Sequence, residues 1–125
     1  MFKYQIGHEN GMDITKGNAL ELGKARKGWF LGYFMDDPNL RTNDLELQCI
    51  EMDKGYSKES TKLNPKVKTV TVLVKGKFEL RFPEEGKTVV LEKEGDFATY
   101  DLRSKHVGTA LERTTILCVR WPSIK

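Results

Sequence analysis

The segment from Thr69 to His106 constrains the fold more than any other part of this sequence. It consists of short runs rich in valine, threonine and phenylalanine, which are separated by turns at Gly76, Gly86 and Gly95. β-Branched and aromatic residues favour strands, and glycine supplies the backbone conformations that tight turns between strands need. The segment therefore predicts a meander of antiparallel strands, with His106 as the titratable side chain at its far end.

Alternation within these runs predicts which side chains face the core. Between residues 77 and 82, apolar side chains alternate with charged ones, which predicts a strand with one face in solvent. Between residues 70 and 74, the valines face one way while Thr71 and Leu73 face the other, and neither face carries a charge. We expect both faces of that strand to be covered, and the surplus apolar surface predicts a homodimer.

The rest of the chain adds further strand-like runs and no long helix. Residues 29–35 form a dense aromatic run, residues 45–52 and 113–121 alternate in part, and residues 18–22 offer at most one helical turn. About seven or eight strands at this spacing are typical of a sandwich or barrel. We therefore predict one all-β domain, with residues 1–27 as an N-terminal arm and residues 28–125 as the barrel.

Composition narrows the classes of partner. The 125 residues carry 21 lysines and arginines against 18 aspartates and glutamates, and the formal balance of +3 is scattered along the chain. That pattern favours neither nucleic acid nor an anionic membrane as a partner. No run approaches the roughly 18 apolar residues that a membrane helix needs, and the start lacks the features of a signal peptide. We expect a cytoplasmic protein in which Cys49 and Cys118 are free thiols.

From residue 55 onward the chain resembles the cupin family of small β-barrels. The family's second motif places a glycine and a histidine at a fixed spacing, and Gly95 and His106 stand at those two positions. The family's first motif begins and ends with glycines that Gly55 and Gly76 match. The resemblance implies a cupin-like double-stranded β-helix, which is a jelly-roll barrel with its site at the barrel mouth.

The interior of the first motif argues against a metal cofactor. Where metal-dependent cupins carry histidines and a carboxylate, this chain carries Thr61, Leu63 and Thr69. Iron and manganese need several nitrogen and oxygen donors in a defined geometry, which one imidazole does not supply. We therefore expect no bound metal and no cofactor. The resemblance implies instead a ligand site lined by Thr61, Leu63, Thr69, Thr71, Tyr100 and His106.

Three functions fit such a site, and the sequence leaves them open. The first is a metal-independent barrel that binds a small polar organic ligand through hydroxyl groups and the His106 imidazole. The second is a metal-free isomerase, epimerase or lyase in which His106 transfers a proton on a carbohydrate-like or carboxylate substrate, and Asp101 is the nearest acidic residue in sequence. The third is a structural or interaction module whose barrel is filled by its own side chains.

Two arginines near the C-terminus bear on the charge of any ligand. Arg113 and Arg120 meet an anionic ligand only if their side chains face inward. The alternation of Arg120 with Val119 and Trp121 favours a place beside the core. The sequence alone therefore assigns neither arginine to the site.

Overall fold

A computed structural model of the protein describes the backbone of residues 3–9 and the whole of residues 12–60 and 62–125. The described residues form eleven strands, one α-helix and two short 3-10 turns at Lys24–Arg26 and Pro83–Glu85. The elements are β1 (Lys3–Glu9), β2 (Met12–Gly17), α1 (Ala19–Leu22), β3 (Trp29–Leu31), β4 (Glu46–Met52), β5 (Ser57–Glu59), β6 (Asn64–Lys75), β7 (Phe78–Phe82), β8 (Lys87–Leu91), β9 (Phe97–Leu102), β10 (Val107–Ala110) and β11 (Thr114–Trp121).

Two antiparallel sheets form the barrel. The large sheet has the strand order β3-β4-β11-β6-β9, and the small sheet has the order β5-β10-β7-β8. The strands β1 and β2 form a separate antiparallel hairpin. Strands that are far apart in sequence are neighbours in both sheets, which is the arrangement of a jelly roll. The predicted all-β jelly-roll fold is confirmed.

Alternation along β6 separates the inside of the barrel from the outside. Val67, Thr69, Thr71 and Leu73 are buried, whereas Val74 is 47% exposed. Successive side chains of a strand point to opposite faces of the sheet, so the outer face of β6 carries the alternate valines. The predicted division into two faces is confirmed, but the outer face is not fully covered within one chain.

The hydrophobic core fills the space between the two sheets. On β7 the predicted alternation holds, because Phe78 and Leu80 are buried while Arg81 is exposed. Removal of these apolar side chains from water is the main favourable contribution to folding. The core cluster consists of Met52, Leu73, Phe78, Leu80, Leu91, Ala110 and Ile116.

The strand predicted for residues 29–35 ends early, at Leu31. Gly32 begins a turn in which its N–H donates to the Leu40 carbonyl (3.0 Å) and its carbonyl accepts from the Met35 N–H (3.3 Å). These backbone groups are satisfied within the loop and are therefore not available to a sheet ladder. The number of strands also exceeds the prediction, because β5 and β10 contain only three and four residues and carry little apolar signal.

The segment before the barrel holds the hairpin β1–β2 and the helix α1. The helix is one turn long, as predicted, and the Asn18 side chain caps it by accepting a hydrogen bond from the Glu21 N–H (3.1 Å). The Asn39 side chain donates to Thr15 Oγ1 (2.8 Å), which ties β2 to the loop after β3.

In the part of the chain that the structure describes, no helix has the length and apolar character needed to cross a membrane.

The two cysteines lie on adjacent strands but on opposite faces of the large sheet. Cys49 of β4 pairs with Leu117 of β11, and Cys118 pairs with Gln48. Cys118 is buried inside the barrel, whereas Cys49 is half-buried on the outer face. Both thiols are free, because neighbouring positions of paired strands point their side chains in opposite directions.

Candidate functional site

A cavity of about 60 Å³ lies between the two sheets. We call it the barrel cavity, and strands of both sheets contribute to its walls. The polar side chains of the lining are Gln48, Tyr56, Lys58, Ser60, Thr71, Tyr100, His106 and Arg120. The apolar side chains of the lining are Ile50, Met52, Phe78, Leu80, Ile116 and Cys118.

Strand register sorts the wall formed by β4 and β11 into an apolar end and a polar end. Ile50 of β4 lies opposite Ile116 of β11. One inward-facing position further along each strand, Gln48 lies opposite Cys118, and Arg120 follows at the next inward position of β11. The barrel cavity is therefore apolar near Ile50 and Ile116 and becomes polar toward Arg120.

His106 is held at the junction of β5 and β10. Its backbone N–H donates to Ser60 Oγ (3.0 Å), and its carbonyl accepts from the Ser60 N–H (2.9 Å). Burial, together with the positive charges of Arg120 and Lys58, lowers the pKa of His106 from 6.5 to about 4. The imidazole is therefore neutral at pH 7. Its buried Nδ1 has no hydrogen-bond partner among the described residues.

Tyr100 forms the wall beside His106. The two rings meet edge to face, with 4.8 Å between their centroids, and Phe82 packs against both. The Tyr100 hydroxyl shares a hydrogen bond of 2.9 Å with Thr71 Oγ1, which in turn donates to Cys118 Sγ (3.8 Å). Burial, followed by the proximity of Cys118, raises the pKa of Tyr100, so the phenol stays protonated. This part of the site is a neutral hydrogen-bonding surface.

Lys58 and Arg120 add positive charge to the walls of the barrel cavity. The Arg120 guanidinium stacks over the Trp29 ring, with 4.6 Å from Cζ to the ring centroid, and its Nη1 lies 3.8 Å from Glu46 Oε2. Lys58 has no ion pair with a carboxylate of the described residues. Burial, followed by the charge of Arg120, lowers the pKa of Lys58.

The residues that the sequence assigned to the site are only partly brought together. Thr71, Tyr100 and His106 line the barrel cavity. Thr69 is fully buried opposite Tyr100, and its Oγ1 has no hydrogen-bond partner among the described residues. Leu63 is 50% exposed, because it precedes β6, and it does not line the cavity. Thr61 lies outside the described residues.

Asp101 does not orient His106. Both oxygens of its carboxylate accept hydrogen bonds from the Arg103 guanidinium, the shortest being 2.7 Å from Nη2 to Oδ2. These hydrogen bonds are the main cause of the lowered pKa of Asp101. Within the described ranges, no carboxylate forms a hydrogen bond or an ion pair with the His106 ring. Among the described residues, His106 and Asp101 therefore do not form a His–Asp dyad for proton transfer.

The donors around His106 do not fit the metal ion that the fold family commonly holds. The described residues include no group of three or more His, Cys, Asp or Glu side chains placed to share a metal. Leu63, at one motif histidine position, has a hydrocarbon side chain, and Thr69, at the carboxylate position, has a neutral one. The charges of Lys58 and Arg120 oppose a divalent cation at this place.

Lys58 and Ser60 are site residues that sequence patterns do not reveal. Residues 55–66 are polar and rich in turn formers, so β5 carries no apolar alternation. Arg120 is different, because it lies two residues after the buried Cys118 and therefore points inward. The expectation that Arg120 flanks the core is wrong, because its side chain lines the barrel cavity in phase with Ile116 and Cys118. Only strand pairing identifies Lys58.

Solved structures share this architecture. The structure of KdgF from Halomonas sp. is 24% identical, covers 66% of this chain and 74% of its own, and superposes with a TM-score of 0.56. An RmlC-like cupin protein from Desulfovibrio desulfuricans is 13% identical, covers 66% of this chain and 76% of its own, and gives a TM-score of 0.58. A cupin superfamily protein from Desulfitobacterium hafniense is 14% identical, covers 64% and 69%, and gives a TM-score of 0.55.

These likenesses establish the fold. No protein-family model matches the sequence, and a comparison with curated proteins finds no match. Structural similarity at these levels of sequence identity shows the fold but does not show which ligand is bound. The chain has the cupin fold, as the resemblance of its two motifs implied.

Proposed function

We propose that this cupin fold serves as a metal-independent barrel that binds a small polar organic ligand. The observation that carries the proposal is the barrel cavity itself, whose volume of about 60 Å³ corresponds to about four to six water-sized groups. Its lining includes the amide of Gln48, the hydroxyl of Ser60 and the imidazole of His106, which are groups that can hydrogen-bond a ligand. A concave site with apolar walls and a few convergent polar groups is the usual form of a ligand site.

Binding explains the surroundings of His106 better than proton transfer does. A general base is effective when its pKa lies near the working pH and when a second group orients it. The pKa of His106 is lowered to about 4, which is far below pH 7. Asp101 accepts hydrogen bonds from Arg103 and therefore does not orient the imidazole. A neutral imidazole in this position is well suited to hydrogen-bond a ligand.

The test combines metal analysis with ligand detection. Protein purified without a histidine tag or chelator is analysed for metals by plasma mass spectrometry and for co-purified molecules by native mass spectrometry. Small polar molecules are then screened by ¹H–¹⁵N NMR, and we expect binders to shift the amide signals of Ser60, His106 and Gly108. His106→Gln should change their affinity, whereas Thr99→Val, on the outer face of β9, should not.

The outcomes separate the candidate functions. Stoichiometric iron, manganese, nickel or zinc that is lost in His106→Gln would refute metal independence. Turnover of a bound molecule that His106→Gln abolishes would favour the isomerase, epimerase or lyase. A screen without binders, on protein that carries no co-purified molecule, would refute the binding function and favour a structural module.

We further propose that the protein is a homodimer and that it works in the cytoplasm. The outer face of the large sheet carries a cross-strand row of apolar side chains, in which Val72 pairs with both Leu117 and Phe97. Phe97 is 64% exposed in the single chain, and contact with the same face of a second copy would remove this apolar surface from water. The free thiols support a reducing compartment.

A further inference from the structure

We infer that the ligand of the barrel cavity is a small carboxylate. Its anionic group is held by Lys58 and Arg120, and its hydrocarbon part points to the end formed by Ile50 and Ile116. This inference rests on the proposed binding function and names the chemical class of the ligand.

The first argument is the charge of the cavity walls. Among the described residues, the lining contains the cations Lys58 and Arg120 and no aspartate or glutamate. The neighbouring Glu46, which is buried, lies 3.8 Å from Arg120 and also accepts a hydrogen bond from the Ser123 hydroxyl (2.9 Å). One carboxylate therefore stands against two half-buried cations, and partly desolvated charge without a counter-charge is unfavourable. A single anion in the barrel cavity restores the balance.

The second argument is that Arg120 is held in place. Its guanidinium lies over the Trp29 ring and beside Glu46, which limits the positions it can take. The distance of 3.8 Å from its Nη1 to Glu46 Oε2 exceeds that of a hydrogen bond, so the guanidinium keeps this donor for a ligand. A planar guanidinium fixed in this way can donate two parallel hydrogen bonds to the two oxygens of a carboxylate. A ligand hydroxyl has only one oxygen and no charge, so it matches the guanidinium less well.

The third argument is the distribution of polarity. Lys58 lies beside Gly108 of β10, which also pairs with Leu80 of β7, so the cation lies in the same layer as an apolar side chain. Ile50 and Ile116 form the next wall, opposite each other across β4 and β11. A ligand that fills both the cationic end and the apolar end of the barrel cavity needs a charged head and a short apolar tail. An inorganic anion such as phosphate would leave the apolar end empty.

The experiment uses three probes on the full chain at pH 7. Butyrate has a carboxylate and a short tail, acetate has the carboxylate with almost no tail, and butyramide has the same shape as butyrate without the charge. Each is titrated into ¹⁵N-labelled protein while the amide signals of Ser60, His106 and Gly108 are followed. We expect butyrate to bind about tenfold more tightly than butyramide, and acetate to bind more weakly than butyrate.

Two variants test the assigned residues against a matched control. Lys58→Gln should weaken butyrate binding by about tenfold and leave butyramide binding unchanged. Arg120→Lys keeps the charge but removes the planar fork, and it should also weaken butyrate binding. Lys105→Gln removes the same charge from an exposed side chain that pairs with Glu59, so it should have no effect.

The results distinguish failure of this inference from failure of the proposed function. Equal binding of butyrate and butyramide, or equal effects of Lys58→Gln and Lys105→Gln, would overturn the carboxylate assignment while leaving a binding barrel. Absence of binding by all three probes would also overturn it. The proposed function itself fails only if the wider screen of small polar molecules finds no binder.

Discussion

Protonation of His106 is opposed by burial in the barrel and by the charges of Arg120 and Lys58. The Tyr100 ring also contacts the imidazole, and its phenol is neutral throughout the acidic and neutral pH range, since burial raises its pKa further above that range. The folded pKa of His106 lies below the value in an unfolded chain, so the unfolded state takes up the proton first as the pH falls. The charge state of this one residue therefore links the stability of the fold to pH.

We predict that the protein loses stability between about pH 6.5 and pH 4 through His106. A pKa lowered from 6.5 to about 4 corresponds to a loss of about 3 kcal/mol at pH 4 relative to pH 7. Urea unfolding at several pH values measures this loss. The loss should be absent in His106→Gln, so the stability of the wild-type protein relative to that variant should fall by about 3 kcal/mol between pH 7 and pH 4. Parallel pH profiles for the two proteins would show that His106 does not cause the loss.

Patterns at the residue scale give polarity and alternation, but not charge pairing. The position of His106 could be read from its distance to Gly95, and the inward orientation of Thr71 from alternation along its strand. Lys58 gave no such signal, because its strand is short and polar. Its role depends on neighbours that are distant in sequence, Gly108 among them.

The turns between strands depend on glycine for two separate reasons. Gly76 and Gly55 both have positive φ values, +99° and +91°. A side chain at Gly55 would meet open space, whereas a Cβ at Gly76 would lie 2.7 Å from Thr114 Cα. Gly76 is therefore required both by backbone conformation and by the close approach of the chain entering β11.

We predict that Gly76→Ala is more damaging than Gly55→Ala. Both substitutions strain a backbone conformation that disfavours a side chain, which costs about 1–2 kcal/mol in either case. Overpacking against Thr114 should add about 1–3 kcal/mol for Gly76→Ala alone. The free energies of unfolding from urea titrations give the comparison. Equal losses in the two variants would mean that the β6–β7 turn can move away from Thr114.

The whole molecule presents an apolar face that one chain does not cover. Val70 pairs with Val119 on this face, beside the row that contains Val72 and Phe97. Charged side chains lie at its margin, where Lys68 of β6 is opposite Asp101 of β9 in the strand register. An apolar centre with a polar rim is the composition of a protein–protein interface. The face is the same on every copy, so two copies related by a twofold axis can cover each other.

We predict that the wild-type protein dimerises through this face. Light scattering should give a mass that rises with concentration toward that of two chains, and Phe97→Glu should return it to one chain because a buried charge opposes association. Val89→Glu is the control, since Val89 is an exposed valine on β8 of the other sheet. A wild-type mass of one chain that does not change with concentration would refute the dimer.

The sequence by itself determined the strand-rich character, the glycine turns, the inner and outer faces of β6 and β7, and the position of His106 relative to Gly95. These features repeat over a few residues, because alternation has a period of two and turns are local. It did not determine that β3 ends at Leu31, since that depends on hydrogen bonds within the loop to Leu40.

Only the tertiary structure decided the chemistry of the barrel cavity. The pairing of β5 with β10 brings Lys58 to the cavity wall. The place of β11 between β4 and β6 brings Cys118 beside Thr71 and Arg120 beside Thr69. Strand pairing over such distances is selected by the free energy of the whole core, because many local patterns are compatible with several pairings. Alternation therefore determined the two faces of the longer strands, and the global packing determined which side chains meet.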